Sequence, residues 1–182
     1  MRKKIGTTNN VVLFLNVLAV ALISLSFLGA VSWSADYRTS SVPPTQIIPV
    51  DIKPRLCPNP LEVSKSGVVS VAILGTERLD VRQIRQDSVR LEEIQPEGIS
   101  WRDVARPHKF YTWKSRGKKA KANFCTDEGP DGKLDLVLQV NKKDLLRVLG
   151  KVRDGDVRVV RLSAWHKSGA RLVGQDVVVI EK

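Results

Sequence analysis

The stretch Asp127 to Asp135, D-E-G-P-D-G-K-L-D, has the spacing of a metal-ligand loop. A hard cation such as calcium needs several oxygens presented by one tight loop. Asp127, Asp131 and Asp135 stand at the first, fifth and ninth positions. Gly132 at the sixth supplies a turn, and Lys133 at the seventh would offer its backbone carbonyl. Position three is Gly129, without a side-chain oxygen, and position twelve is Leu138 rather than the glutamate of an EF-hand. The same residues also read as a Pro130-Asp131-Gly132 turn that feeds a strand and leaves its acids in solvent. Calcium is the one cofactor the residues suggest, and both readings stand.

A second chemistry lies just upstream. Arg102 to Asn123 holds eight Lys or Arg and one acid, Asp103, with His108, Phe110, Tyr111 and Trp113 interleaved. Cations neutralise a charged polymer while aromatic faces stack on its bases or sugars. Tyr111 and Trp113 form the expected stacking platform, and Lys114, Arg116, Lys118, Lys119 and Lys121 the charge contacts. The fitting partners are cell-wall polymer, acidic polysaccharide or released nucleic acid, without specific recognition of DNA. The competing reading is a solvated loop whose Phe110 and Trp113 pack on a sheet. Catalysis finds little support. Neither His108 nor His166 has a Ser or Cys nucleophile context nearby. Glu92 and Glu93 are adjacent, so on a strand they would face opposite ways. There is no Gly-rich phosphate loop, and a non-enzymatic role is expected.

The N-terminus assigns the compartment. Arg2, Lys3 and Lys4 are followed by no charge until Asp36, and Val11 to Val31 is a run of 21 mostly apolar residues. A short cationic start before an apolar run is an export signal. The length favours a retained membrane anchor. Asn16, Ser24 and Ser26 interrupt it, and Ala30-Val31-Ser32 offers a peptidase site, which favours cleavage. In either case the basic start stays inside, so the rest is periplasmic, anchored facing outward, or extracellular. Cys57 and Cys125 are the only cysteines, and a lone pair in an exported chain reads as a disulfide. Closing a loop of about 68 residues would contribute roughly 4 kcal/mol in the chain-entropy model. Beyond residue 35, Lys plus Arg falls from 30 to 27 while Asp plus Glu stays at 19, a net of +8. Such a charge favours anionic partners.

These residues need a scaffold. Residues 1–35 form the signal or anchor, 36–45 a polar linker ending in Pro43-Pro44, and 46–182 one domain. Ile47 to Ile52 reads as a strand with an edge or bulge at Pro49, Arg55 to Pro60 as a rigid turn, and Val68 to Leu74 as a central strand. Leu79 to Ile84, Ser88 to Ile94, Ile99 to Val104 and Asp135 to Val140 follow as strands. Arg102 to Asn123 reads as a long loop or an extended hairpin. Leu145, Leu146 and Leu149 fall at helical intervals over Lys142 to Leu149, with Gly150 as C-cap. Val157 to Trp165 and Leu172 to Ile180 close the chain around a turn at His166-Lys167-Ser168-Gly169. Seven to eight short strands and one short helix predict an all-β, antiparallel Ig-like sandwich, preceded by the N-terminal export or transmembrane helix.

In this order, IPVDIKP, CPNPLEVSKSGVVSVAILGTERLDV, DSVRL, TDEGPDGKLDL and SGARLVGQDVVVI resemble an exported bacterial β-domain family. Its members begin V-D-I-K-P-G, continue S-K-G-V-x-x-V-A-I-L and end in a D-G-x-x-x-x-G-x-D hairpin. They often carry D-x-N-G-D-G-x-x-D where this chain has its acidic loop. The resemblance covers about Ile48 to Ile180. It implies a β-domain of secreted or surface proteins and no particular activity. Two departures stand out: Arg55 replaces the family's Gly, and Arg106 to Ala122 looks like a basic insertion. The expected function is a structural or adhesive module of the cell envelope or extracellular space, meeting an anionic surface polymer or another envelope protein. A polyanion-binding or calcium-dependent module is the alternative.

Overall fold

The computed structural model describes residues 42–109 and 121–182. The apolar N-terminal segment, residues 36–41 of the linker, and Phe110, Tyr111, Trp113, Lys114, Arg116, Lys118 and Lys119 lie outside the described residues. No helix among the described residues is long and apolar enough to cross a membrane.

Nine strands are described. In chain order they are β1 (Thr45–Ile47), β2 (Val50–Ile52), β3 (Pro60–Glu62), β4 (Val68–Ile73), β5 (Ile84–Leu91), β6 (Gly98–Arg102), β7 (Asp135–Asn141), β8 (Val157–His166) and β9 (Arg171–Glu181). One helix, α1 (Lys142–Leu149), follows β7. The first sheet runs β1-β9-β8-β5, with β3 also on β9, and the second runs β2-β4-β7-β6. Apolar side chains of both sheets share one core that includes Ile52, Val71, Leu138, Leu162 and Ile180. Alternation places each inward set. In β8, Val160, Leu162 and Ala164 are buried while Arg161 and Trp165 face solvent. The central strands β4 and β7 bury apolar residues on the core face and, at Ala72 and Val137, part of the outer face as well. Behind the second sheet, Ala72, Leu74 and Val137 pack with Ala105 in a separate cluster.

Several elements differ from expectation. The sandwich is not purely antiparallel, since β1 and β3 both pair parallel with β9. The eleven residues of β9 offer a long free edge, and two three-residue strands lie along it end to end, against Arg171–Val173 and Val179–Glu181. Ile47 to Ile52 is not one bulged strand but two, in different sheets. Pro49 has no amide to continue a ladder. The Ile48 amide still bonds the Val173 carbonyl at 2.9 Å, while the Pro49 carbonyl accepts from the Leu74 amide of the other sheet at 3.1 Å. Gly174 of β9 permits the crossing, because a Cβ there would meet the Val50 side chain and the Ile48 carbonyl.

Leu79 to Ile84 is not one strand: Val81–Gln83 form a 3-10 turn, and Ile84 opens β5. The Asp80 carboxylate takes the Arg82 amide at 3.0 Å, competing with any ladder. Ser88 to Ile94 is likewise not one strand. Strand β5 stops at Leu91, and Glu92 and Glu93, both at positive φ, turn the chain so that the Ile94 amide reaches the Leu91 carbonyl at 2.8 Å. These two acids therefore sit in a turn. The predicted helix holds residue for residue. The Asn141 side chain caps the Lys143 and Asp144 amides, and Gly150 ends the helix at φ 71°.

Arg55 occupies the left-handed region at φ 75°. A side chain there costs about 1–2 kcal/mol, and glycine returns part of that as unfolded-chain entropy. Arg55→Gly is therefore expected to stabilise the domain by about 0.5 kcal/mol. A higher urea midpoint at unchanged slope would record it.

Candidate functional site

The cation-rich segment is an excursion between two neighbouring strands. It leaves β6 after Arg102 and rejoins β7 at Asp135, and these two residues face each other in the ladder. The ladder ends at this pair, and the described residues beyond it, 103–109 and 121–134, form no strand, as the long-loop reading expects. Both feet are pinned. The Asp103 carboxylate accepts the Asp131 amide at 3.0 Å and the Gly132 amide at 2.7 Å, tying the outgoing foot to the returning one. The Asp135 carboxylate accepts three amides: Gly75 at 2.9 Å, Val104 at 2.8 Å and Ala105 at 3.3 Å. Gly75 allows this approach, since a Cβ there would strike the Leu134 carbonyl. Val104 and Ala105 then lie on the outer face of the second sheet.

Further out, Arg106 pairs with Glu128 at 3.2 Å. The His108 and Phe124 rings sit 6.4 Å apart, and the exposed Lys121 places its Nζ 6.0 Å from the Phe124 centroid. Cys125, nearly buried, is bonded to Cys57, with Cα atoms 5.4 Å apart. The disulfide thus fastens the returning limb to the turn after β2. Between Lys109 and Lys121 run the residues outside the described set, with the expected platform Tyr111 and Trp113 and four of the five expected charge contacts.

The four expected calcium ligands are not brought together. Asp135 is fully buried, and its oxygens face backbone amides. Burial, the largest cause, pushes its carboxyl up, the three amides oppose this, and the Asp103 charge adds to it. Asp131 accepts its own loop's Lys133 amide at 3.1 Å. The Lys133 side chain reaches Glu77 at 3.1 Å, which holds its ammonium above the usual range. Asp127 is exposed. Among the described residues no three His, Cys, Asp or Glu side chains group as a metal would require. The loop turns amides toward carboxylates, the reverse of a cation cradle.

Sequence reasoning missed the residues that do the positioning. Asp103 was visible only as the lone acid in a basic run. Asp176 is a carboxylate directly before the apolar run V-V-V-I, within a strand, which was a signal. Fully buried, it takes the Ile52 amide at 2.7 Å and the Asn59 side-chain amide at 2.9 Å, joining β2 and the Cys57 turn to β9. The serine of the His166–Gly169 turn lies against the imidazole. Ser168 Oγ lies 2.7 Å from His166 Nδ1, but the Ser168 amide donates to the same nitrogen at 3.1 Å, so the contact closes the exposed hairpin turn. Comparison of the chain with family models, with curated proteins and with solved structures found no match.

Proposed function

We propose that this chain is an exported, non-enzymatic adhesive module of the cell envelope or extracellular space, an Ig-like sandwich whose basic excursion holds an anionic polymer. The carrying observation is the fastening of that excursion. Its feet join at one register pair and are held by Asp103, Asp135 and the Cys57–Cys125 bond. A merely solvated loop has no use for three such restraints. A cation-rich segment that must meet a ligand loses less entropy on binding when its base is fixed. The disulfide supports the export reading, because such bonds persist in oxidising compartments, and the cationic-apolar N-terminus supplies the address. Tyr111 and Trp113 stack on the polymer while Lys114, Arg116, Lys118, Lys119 and Lys121 neutralise it. If the apolar segment is not cleaved, it ties the module to the membrane. Binding of the exported domain to cell-wall fractions, acidic glycans and single-stranded DNA tests this. Affinity is expected to fall linearly on a log scale with salt as counterions are released, and to be unchanged by calcium. Binding that ignores salt would overturn it.

A further inference from the structure

A second recognition surface lies apart from the excursion's outer residues. A half-open cavity of 350 Å³ opens where the turn after β2 meets the start of β4, Val104 and the start of α1. This is the volume range of small-molecule sites. Among the described residues three cations line it, Lys53, Arg55 and Lys142, and none of the lining residues is a carboxylate. The fields of Lys53 and Lys142 overlap at Glu62. The Glu62 carboxyl is held below the usual range first by Lys65, at 2.7 Å, with Lys53 and Lys142 adding to the effect. Among the described residues Lys53 Nζ donates once, to the Pro60 carbonyl at 2.9 Å, out of three donors. Lys53 and Arg55 both hold left-handed backbone, at φ 55° and 75°, and strain of this kind gathers at ligand sites. The rim is apolar. Leu56 and Val68, 44% and 50% exposed, both line the cavity.

Cations around a pocket with apolar walls fit one chemistry. We propose that this cavity binds a small amphiphilic anion, a phosphate or carboxylate carried on a short apolar chain. The head sits among Lys53, Arg55 and Lys142, and the chain lies on Leu56, Val68 and Val104. The site is independent of polymer binding by the excursion.

Octyl phosphate is the probe, with octanol and inorganic phosphate as controls, titrated into the exported domain by calorimetry and amide-shift mapping. Octyl phosphate is expected to bind and to shift the Lys53, Ser70 and Val104 amides. Each control should bind at least about tenfold more weakly, having lost the head or the chain. Arg55→Gly relieves backbone strain and Lys142→Gln is a mild change at a helix start, so both should fold. Together they should weaken octyl phosphate about a hundredfold. Phosphatidylglycerol vesicles separate the two sources of this chemistry. Sedimentation that the double variant loses assigns a bilayer headgroup, and its absence beside octyl phosphate binding assigns a free amphiphile. Octyl phosphate binding equally well to the double variant, shifts mapping elsewhere, or no binding at all would overturn the proposal.

Discussion

Replacing Cys57 and Cys125 together by serine is expected to cost the domain about 4 kcal/mol. The bond spans 68 residues, and opening a loop of that size returns roughly this much entropy to the unfolded chain. For a domain of this length the melting temperature should fall on the order of 10 °C. The bond also joins the returning limb of the excursion to the turn that Asn59 and Asp176 fix on β9. Its loss should therefore expose the 121–130 amides to hydrogen exchange before the rest of the domain. Reducing the parent with dithiothreitol should reproduce the variant's midpoint. A midpoint shift of less than a degree in either experiment would mean that the bond restrains nothing.

The second large effect is expected at Asp135. Asp135→Ala leaves two buried amides and one half-buried amide without an acceptor and should cost roughly 3–5 kcal/mol. Asp135→Asn should cost less, roughly 1–3 kcal/mol, because one amide group must then face another donor. A pH signature accompanies the loss. Burial raises the Asp135 carboxyl above its ordinary 3.8 in the folded state. The folded chain therefore binds this proton more tightly than the unfolded chain does. That contribution to stability is present below the ordinary value and is lost as pH rises through the raised one. In Asp135→Asn this slope should vanish from urea midpoints measured across the acid range. A calcium ligand behaves otherwise, since its replacement costs stability only when calcium is present. A full loss without calcium supports the amide-acceptor role, and a calcium-dependent loss contradicts it.

What the sequence shows directly is what neighbouring residues decide. The β4 run V-V-S-V-A-I, the α1 pattern ending at Gly150 and the His166–Gly169 turn are local signals, and each element lies where expected. The step from β1 into β2 is not local. It depends on Gly174 having no Cβ and on Asp176 receiving the Ile52 amide across a separation of 124 residues. The parallel pairings share that cause, since only the length of β9 creates the edge they occupy. The acidic loop misled for a different reason. A carboxylate at a loop's end looks the same in sequence whether it meets a cation or three amides. Gly75, 60 residues away, decides the matter here. Aromatics among cations at least marked the excursion as a candidate. The restraints at its feet depend on Asp103 and Asp135, whose partners a single sequence does not show.

The most direct test compares the parent with a variant in which Lys114, Arg116, Lys118, Lys119 and Lys121 are all Gln, using a single-stranded polynucleotide titrated over a range of salt. Each lost contact should remove about 0.7 from the slope of log affinity against log salt. The variant should therefore bind more weakly, with a slope shallower by roughly 3.5, while its melting temperature stays near the parent's. Trp113→Ala should lower affinity and likewise keep stability, whereas a core tryptophan would lose roughly 3–5 kcal/mol. If the Gln variant matches the parent in affinity and slope, the excursion is a fastened but unused loop, and the polymer-binding role is contradicted.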